Sequence, residues 1–337
     1  MRKLPAFLFL LILVAAGLGL YVRRELRVSG SPAEGLIIEI PRGLGAREIV
    51  GLLEAKKVIS NRRVAFAYIS YSGTRNKLQA GEYRFDHPQT IPEVVNKLVS
   101  GLVYLHKFTV PEGLTVEVTA QKWQEQGFGA AGEFVKATAA AVDLVRKFDA
   151  KAVSVEGYLF PETYSFPAHT TARQAIEAML ARFQQMTQKL REVVPEDKWA
   201  LSLHDIVTLA SLVETEAAQS DERSIIASVY LNRLKRRILL QCDPTVIYAL
   251  EQADRYRGKL TLADLQFKSP YNTYVNAGLP PGPIASPGYP SLLASIQPAE
   301  TKYLYFVRTV EARHTFSETL SAHNRAVEAY RKLKKAS

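Results

Sequence analysis

The stretch Leu209-Ala-Ser-Leu-Val-Glu-Thr-Glu-Ala217 sets two carboxylates into an otherwise apolar run. Carboxylates are rarely buried without a partner or a task. One held in an apolar cleft keeps its proton to higher pH and can serve as a general acid near neutrality. At about 100° per residue, Leu209, Ala210, Val213 and Ala217 cluster around Ile206. Val207 and Leu212 widen that apolar arc. Glu214 falls at one edge of the arc and Glu216 near the other, so helix geometry alone does not choose between them. A salt bridge at a domain seam is the competing reading for either carboxylate.

Working outward, the spacing predicts helices over about 172–194, 203–217 and 221–236 around this stretch. Glu156-Gly-Tyr-Leu-Phe-Pro-Glu-Thr-Tyr164 reads as a compact aromatic loop, and residues 115–147 as mostly helical. Residues 238–300 are rich in Pro, Gly, Tyr and Asn and read as a long functional loop. A strand is expected at Tyr303-Leu-Tyr-Phe-Val307 and a closing helix from about Ser321. Upstream, residues 36–110 alternate strand and helix patterns and form a small α+β module. The fold class expected for the whole chain is α+β.

Leu4 to Val22 is 19 residues without a charge, bracketed by Arg2-Lys3 and Arg23-Arg24. That length suffices to span a bilayer as a helix. A cleaved signal peptide ending near Val14-Ala-Ala16 is the alternative, but the apolar run continues past it, so an uncleaved anchor is preferred. Basic residues on both flanks leave the positive-inside rule little to discriminate. Export of the C-terminal part is the default expectation. The expected organisation is a cytoplasmic tip and anchor over 1–22, a linker over 23–35, the module over 36–110 and a second, larger domain over 111–337.

The 337 residues carry a formal net charge of +10, with 47% hydrophobic and 23% charged residues. This balance suits a globular protein beside an anionic neighbour such as a membrane surface or an acidic polymer. No basic helix with interleaved aromatics points to nucleic acid. The single cysteine, Cys242, excludes an intramolecular disulfide, and no cysteine-hydrolase pattern surrounds it. His314, Glu318 and His323 lack the spacing of a metal site. Neither a Gly-x-Ser-x-Gly elbow nor a P-loop is present.

Seven strings, in order, resemble the endolytic murein transglycosylases, the MltG or YceG-like family. They are the 156–164 loop, Leu209 to Glu216, Ser228-Val-Tyr-Leu-Asn-Arg-Leu234, Leu240-Gln-Cys-Asp-Pro-Thr-Val-Ile-Tyr248, Ser269-Pro-Tyr-Asn-Thr-Tyr274, Gly278-Leu-Pro-Pro-Gly-Pro-Ile284 and His314-Thr-Phe316. The resemblance implies a single-pass inner (cytoplasmic) membrane anchor, an extracytoplasmic LysM-like module and a mixed catalytic domain with a lysozyme-like active-site helix. It implies peptidoglycan glycan strands as substrate, cleaved between N-acetylmuramic acid and N-acetylglucosamine to leave 1,6-anhydromuramyl ends, with no cofactor and no metal. Partners in the wall-synthesis machinery, such as penicillin-binding synthases, and a limit on glycan length follow from the same resemblance.

The family's catalytic glutamate maps onto Glu214, with Glu216 the second choice for the acid or a structural ion pair. Gln241, Asn272 and Thr273 suit sugar hydroxyls and N-acetyl carbonyls. Tyr271 and Tyr274 could offer flat faces to the pyranose rings. Asp243 could stabilise positive charge or cap a turn before Pro244. His314 lines the cleft or serves as a structural histidine. Cys242 departs from the small polar residue expected there. A non-catalytic wall-binding scaffold and a water-using hydrolase, with Glu216 or Asp243 as second carboxylate, are the competing functions.

Overall fold

The computed structural model describes residues 3–309 and 313–336. It is a mixed α+β structure that opens on an apolar helix, α1 (Lys3–Glu25). Within α1, Phe7–Glu25 is long and apolar enough to cross a membrane and has no buried residue. The chain divides into two units, residues 1–107 with 165–169, and residues 108–164 with 170–337.

The first unit runs β1 (Leu36–Ile40), α2 (Ala46–Ala55), α3 (Arg62–Tyr71), β2 (Gly81–Phe85) and α4 (Ile91–Val99). Strands β1 and β2 pair antiparallel, with Leu36 opposite Phe85 and Ile38 opposite Tyr83. The period-two pattern turns Ile38, Ile40, Tyr83 and Phe85 into the core. Ile49 and Leu53 of α2, with Ile91, Val94 and Leu98 of α4, close it. Asn61 caps α3 by accepting the Arg63 and Val64 N–H groups at 3.0 and 3.2 Å. The end of α1 and the segment expected as a linker at 23–35 are tied to this unit. Val22 and Leu26 pack on its core, and Ser29 bridges Thr90. The Gly30 N–H donates to the Gln89 carbonyl at 2.9 Å.

Strand β3 (Leu105–Thr109) pairs with β4 (Thr163–Pro167). The second unit continues with α5 (Val116–Glu125), α6 (Ala131–Ala139), α7 (Val142–Arg146), α8 (Ala172–Val193), α9 (Leu203–Glu216), α10 (Arg223–Lys235), α11 (Asp243–Gln252) and α12 (Tyr289–Ile296). It ends on β5 (Tyr305–Arg308), β6 (His314–Ser317) and α13 (Leu320–Ala336). Helix α9 packs against α10, α11 and α12. Leu203, His204 and every residue from Ile206 to Val213 are buried, so α9 is the centre of this unit.

Residues 238–300 are not one long loop, because α11 and α12 lie inside them. Both begin on turn-like sequence, Asp243-Pro244 and Gly288-Tyr289-Pro290, where proline occupies a first-turn position that needs no N–H. Composition alone hid them. The aromatic loop likewise ends in β4, and β6 was not foreseen.

Candidate active site

Three buried polar groups hold the N-terminal half of α9. The His204 ring lies between Asp149, at 3.2 Å from Nδ1, and the Pro281 carbonyl, at 2.9 Å from Nε2. The Tyr158 hydroxyl donates to Asp149. Asp149 raises the His204 pKa, with the Pro281 carbonyl assisting against burial. Gly157, at φ +82, presses against Pro283, where an added Cβ would come within 2.3 Å of a ring carbon. The Ser211 hydroxyl accepts the Ile284 N–H at 3.1 Å and donates to the Thr208 carbonyl at 2.7 Å. The Glu156-Gly-Tyr-Leu-Phe-Pro and Gly278-Leu-Pro-Pro-Gly-Pro-Ile strings are therefore the clamp on α9. Glu156 accepts the Val116 N–H of α5 at 3.1 and 3.2 Å, and its full burial pushes its carboxyl up to about 8.

The last turn of α9 sends its two carboxylates in different directions. Residues two apart on a helix differ by about 200°. Glu214 is stitched into the fold: Arg223 Nη2 donates to Oε1 at 2.9 Å and the Gly288 N–H to Oε2 at 2.9 Å. Its side chain is 5% exposed. Arg223 also donates through Nε to Ser291 at 3.0 Å and lies 3.6 Å from Glu112. Burial, then the Glu214 charge, raises the Glu112 pKa, while Arg223 opposes them. The Glu112–Gly113 turn is itself fixed, Gly113 donating to the Ser286 carbonyl at 2.9 Å. Arg223 and Glu112 carry no motif that marks them in the sequence.

Glu216 faces a cavity of about 430 Å³ that it shares with Thr215, Gln241, Asp243, Tyr274, Arg233, His314 and residues of β5. Tyr230 OH and Cys242 Sγ reach its Oε1 at 3.3 and 3.5 Å. Among the described residues no hydrogen bond goes to Oε2. Burial, with a smaller push from the Asp243 charge, raises the Glu216 carboxyl to about 7. The Cys242 thiol is pushed well up by its own burial and then by the Glu216 charge, so it is a weak donor rather than a nucleophile.

Asp243, exposed at the start of α11, accepts the Tyr274 hydroxyl at 2.6 Å. Gln241 takes a left-handed backbone, φ +51. Its N–H donates to the Thr273 carbonyl at 3.1 Å, and its Oε1 accepts from Arg233 at 3.3 Å. His314 is pinned by Glu222, which accepts its N–H and lies 2.8 Å from Nδ1.

Asn272, Thr273 and Tyr271 do not line this cavity. Asn272 is fully buried and donates through Nδ2 to the Leu265 and Phe267 carbonyls at 3.1 and 2.8 Å. The Thr273 hydroxyl accepts the Cys242 N–H at 3.0 Å and sits 2.9 Å from the Thr245 hydroxyl. Tyr271 packs on Tyr248 with ring centroids 4.9 Å apart. These three build the loop that presents Gln241 and Asp243. Amide and hydroxyl side chains serve loop backbone and sugars alike, so residue type could not separate the two roles.

The cavity thus joins one partly buried carboxyl, a second carboxylate, an amide and an aromatic hydroxyl, which suits proton transfer to a polar, uncharged bond. Residues 38–329 match the model of the YceG-like family. The chain is 33% identical over 308 residues to the endolytic murein transglycosylase of Bacillus subtilis, covering 87% of this chain and 84% of that protein. It is 28% identical to the endolytic murein transglycosylase of Streptococcus pneumoniae, spanning 90% of this chain but 59% of that longer relative. A crystal structure of a yceG-like protein from Listeria monocytogenes superposes with a TM-score of 0.59 at 34% identity, covering 87% of this chain and 99% of that one. With a family match across most of its length and relatives above 30% identity, this chain belongs to the YceG-like family.

Proposed function

We propose that this protein is a membrane-anchored endolytic lytic transglycosylase of peptidoglycan, and that Glu216 rather than Glu214 is its general acid and base. The relatives' shared name supports the reaction. The observation that carries the assignment is the division of labour in α9. Glu214 is occupied by Arg223 and the Gly288 N–H, whereas Glu216 opens on the cavity with its carboxyl raised to about 7. A carboxyl poised near the working pH is what a proton donor needs.

Protonated Glu216 gives its proton to the glycosidic oxygen as the bond from muramic acid C1 to that oxygen breaks. The N-acetylglucosamine hydroxyl leaves. The Glu216 carboxylate then takes the proton of the muramic acid C6 hydroxyl, whose oxygen bonds to C1. The product is a 1,6-anhydromuramyl end, and Glu216 returns to its protonated form. The nucleophile is carried by the substrate, so no second protein carboxylate is required, unlike in a hydrolase. Asp243 stands close enough to influence Glu216 and would favour the oxocarbenium-like charge at C1.

Asp243 also favours a second reading, a hydrolase in which it activates water. New chain ends separate the two: mass spectrometry of digested glycan strands gives anhydro ends for the lytic reaction and reducing ends for hydrolysis. Loss of cleavage with retained strand binding in Glu216→Gln distinguishes both from a non-catalytic scaffold. Cleavage by Glu216→Gln but not Glu214→Gln would return the acid to Glu214.

The strand–helix–helix–strand order of β1, α2, α3 and β2 supports reading the first unit as the LysM-like module, with the second unit catalytic. Helix α1 is compatible with a single-pass anchor, with both units on the extracytoplasmic side. An endolytic cutter held there would release nascent strands, limit their length and work beside the synthases that make them.

A further inference from the structure

The wall of the cavity built by β5 and its neighbours carries positive charge that the reaction of Glu216 does not use. Arg233 is 7% exposed and makes no ion pair among the described residues. Its Nε donates to the Leu304 carbonyl at 2.6 Å, and Nη1 donates to the Leu239 and Leu240 carbonyls at 3.0 and 2.9 Å and to Gln241 Oε1. The guanidinium lies over the Tyr305 ring at 5.0 Å. Among the described residues Nη2 has no hydrogen-bond partner. A buried cation held only by neutral acceptors lacks the counter-charge that normally accompanies it.

Two further groups on the same wall are unspent. The His323 ring stacks on Tyr305 at 5.3 Å, and its buried Nδ1 has no partner. Arg308, at the end of β5, lines the cavity exposed and makes no ion pair among the described residues. His314 is not part of this set, because Glu222 occupies its Nδ1. The two carboxylates of the cavity, Glu216 and Asp243, come from the end of α9 and the start of α11. The cavity therefore gathers two carboxyl groups and two arginines, and neither arginine forms an ion pair among the described residues. Neutral sugar hydroxyls do not call for such a wall, whereas a carboxylate does.

We propose that the Arg233–Arg308 wall is an anion subsite that takes a carboxylate of the murein strand. This rests on the murein reading above and deepens it. The carboxylate has two chemical sources. One is the lactyl group of muramic acid where no peptide is attached, and the other is a carboxylate on a peptide joined through that lactyl group. Arg308 at the rim is the first contact, and Arg233 behind it supplies fixed positive charge. A strand whose carboxylate lies on this wall is drawn across the cavity in one orientation, with its sugar backbone towards Glu216.

The test is a binding titration on the full chain in neutral detergent, carrying Glu216→Gln so that nothing is cleaved. Four probes are compared: the muramyl disaccharide with a free lactyl carboxylate, its primary amide, the disaccharide bearing Ala-Glu, and that peptide with its carboxylates amidated. At least one acid is expected to bind about tenfold more tightly than its amide, in line with a charge-assisted contact. That preference shrinks to within about twofold in Arg308→Gln and in raised salt. Which acid shows it identifies the source. Arg308 is exposed, so this variant leaves the packing intact where Arg233→Gln would free three carbonyls.

Equal binding of both acids and their amides overturns the subsite alone. A preference that survives Arg308→Gln unchanged places the anion elsewhere and overturns it too. Failure of all four probes to bind overturns the subsite and the murein reading together.

Discussion

Glu214 and Glu216 differ by about half a helical turn and by everything that surrounds them. Glu216→Gln is expected to lower strand cleavage by about 10²–10⁴-fold, the worth of a positioned general acid, with binding retained. On the proposed mechanism, protonated Glu216 is the active form. Its carboxyl sits at about 7, so kcat/KM should fall roughly tenfold per pH unit above that value, and a pH–rate profile checks this. Glu214→Ala should act differently, costing about 3 kcal/mol of stability by leaving Arg223 without its closest partner, read by chemical denaturation. Glu156 gives a separate pH signature. Its carboxyl is raised from an ordinary 4.5 to about 8, so the folded state holds a proton that the unfolded chain has released. Its contribution is therefore intact below about pH 4.5 and is lost as pH rises towards 8. Melting curves from pH 5 to 8.5 should show a smaller decline for Glu156→Gln than for the native chain.

At the scale of elements, α9 is positioned by contacts that its own sequence does not contain. Ser211 sits mid-helix, fully buried, because its hydroxyl receives the Ile284 N–H of a distant loop. Ser211→Ala should cost about 1–3 kcal/mol, the penalty for an unsatisfied buried donor, measured by urea unfolding. Gly157→Ala should cost more, since the φ of +82 and the Pro283 ring both exclude a side chain. Helices announced by periodicity were legible in advance, α8 and α9 among them, and in the structure Thr171 and Ser202 cap their starts. Helices α11 and α12 were not, since their Pro- and Gly-rich starts look like loop until α9 offers them a surface. The short strands β4 and β6 escaped for a related reason. Four or five residues carry too little periodicity, and the partner of β4, β3, lies far away in sequence.

At the scale of the whole chain, the end of α1 and the segment after it are structural. Val22 and Leu26 lie on the core of the first unit, and Tyr21 OH accepts from Asn61 at 3.0 Å. A chain beginning at residue 31 should therefore melt at a lower temperature than one beginning at residue 20, because it exposes that apolar face and loses the Ser29–Thr90 bridge.

The sequence by itself determined the α+β class, the apolar N-terminal helix, the family and the narrow stretch that holds the proposed acid. Each of these rests on local pattern: period, charge-free length, or an ordered series of short strings. It also named Gln241, Asp243 and Glu216, which the fold gathers at one cavity. The tertiary structure alone separated Glu216 from Glu214, because both stand at edges of the same apolar arc and only their neighbours differ. Arg223, Gly288 and Glu112 lie nine, 74 and about a hundred residues from Glu214, and burial beside Tyr230 and Cys242 raises Glu216. Proton affinity depends on desolvation and on charges a few ångströms away, and the folded chain sets those distances from residues far apart in sequence.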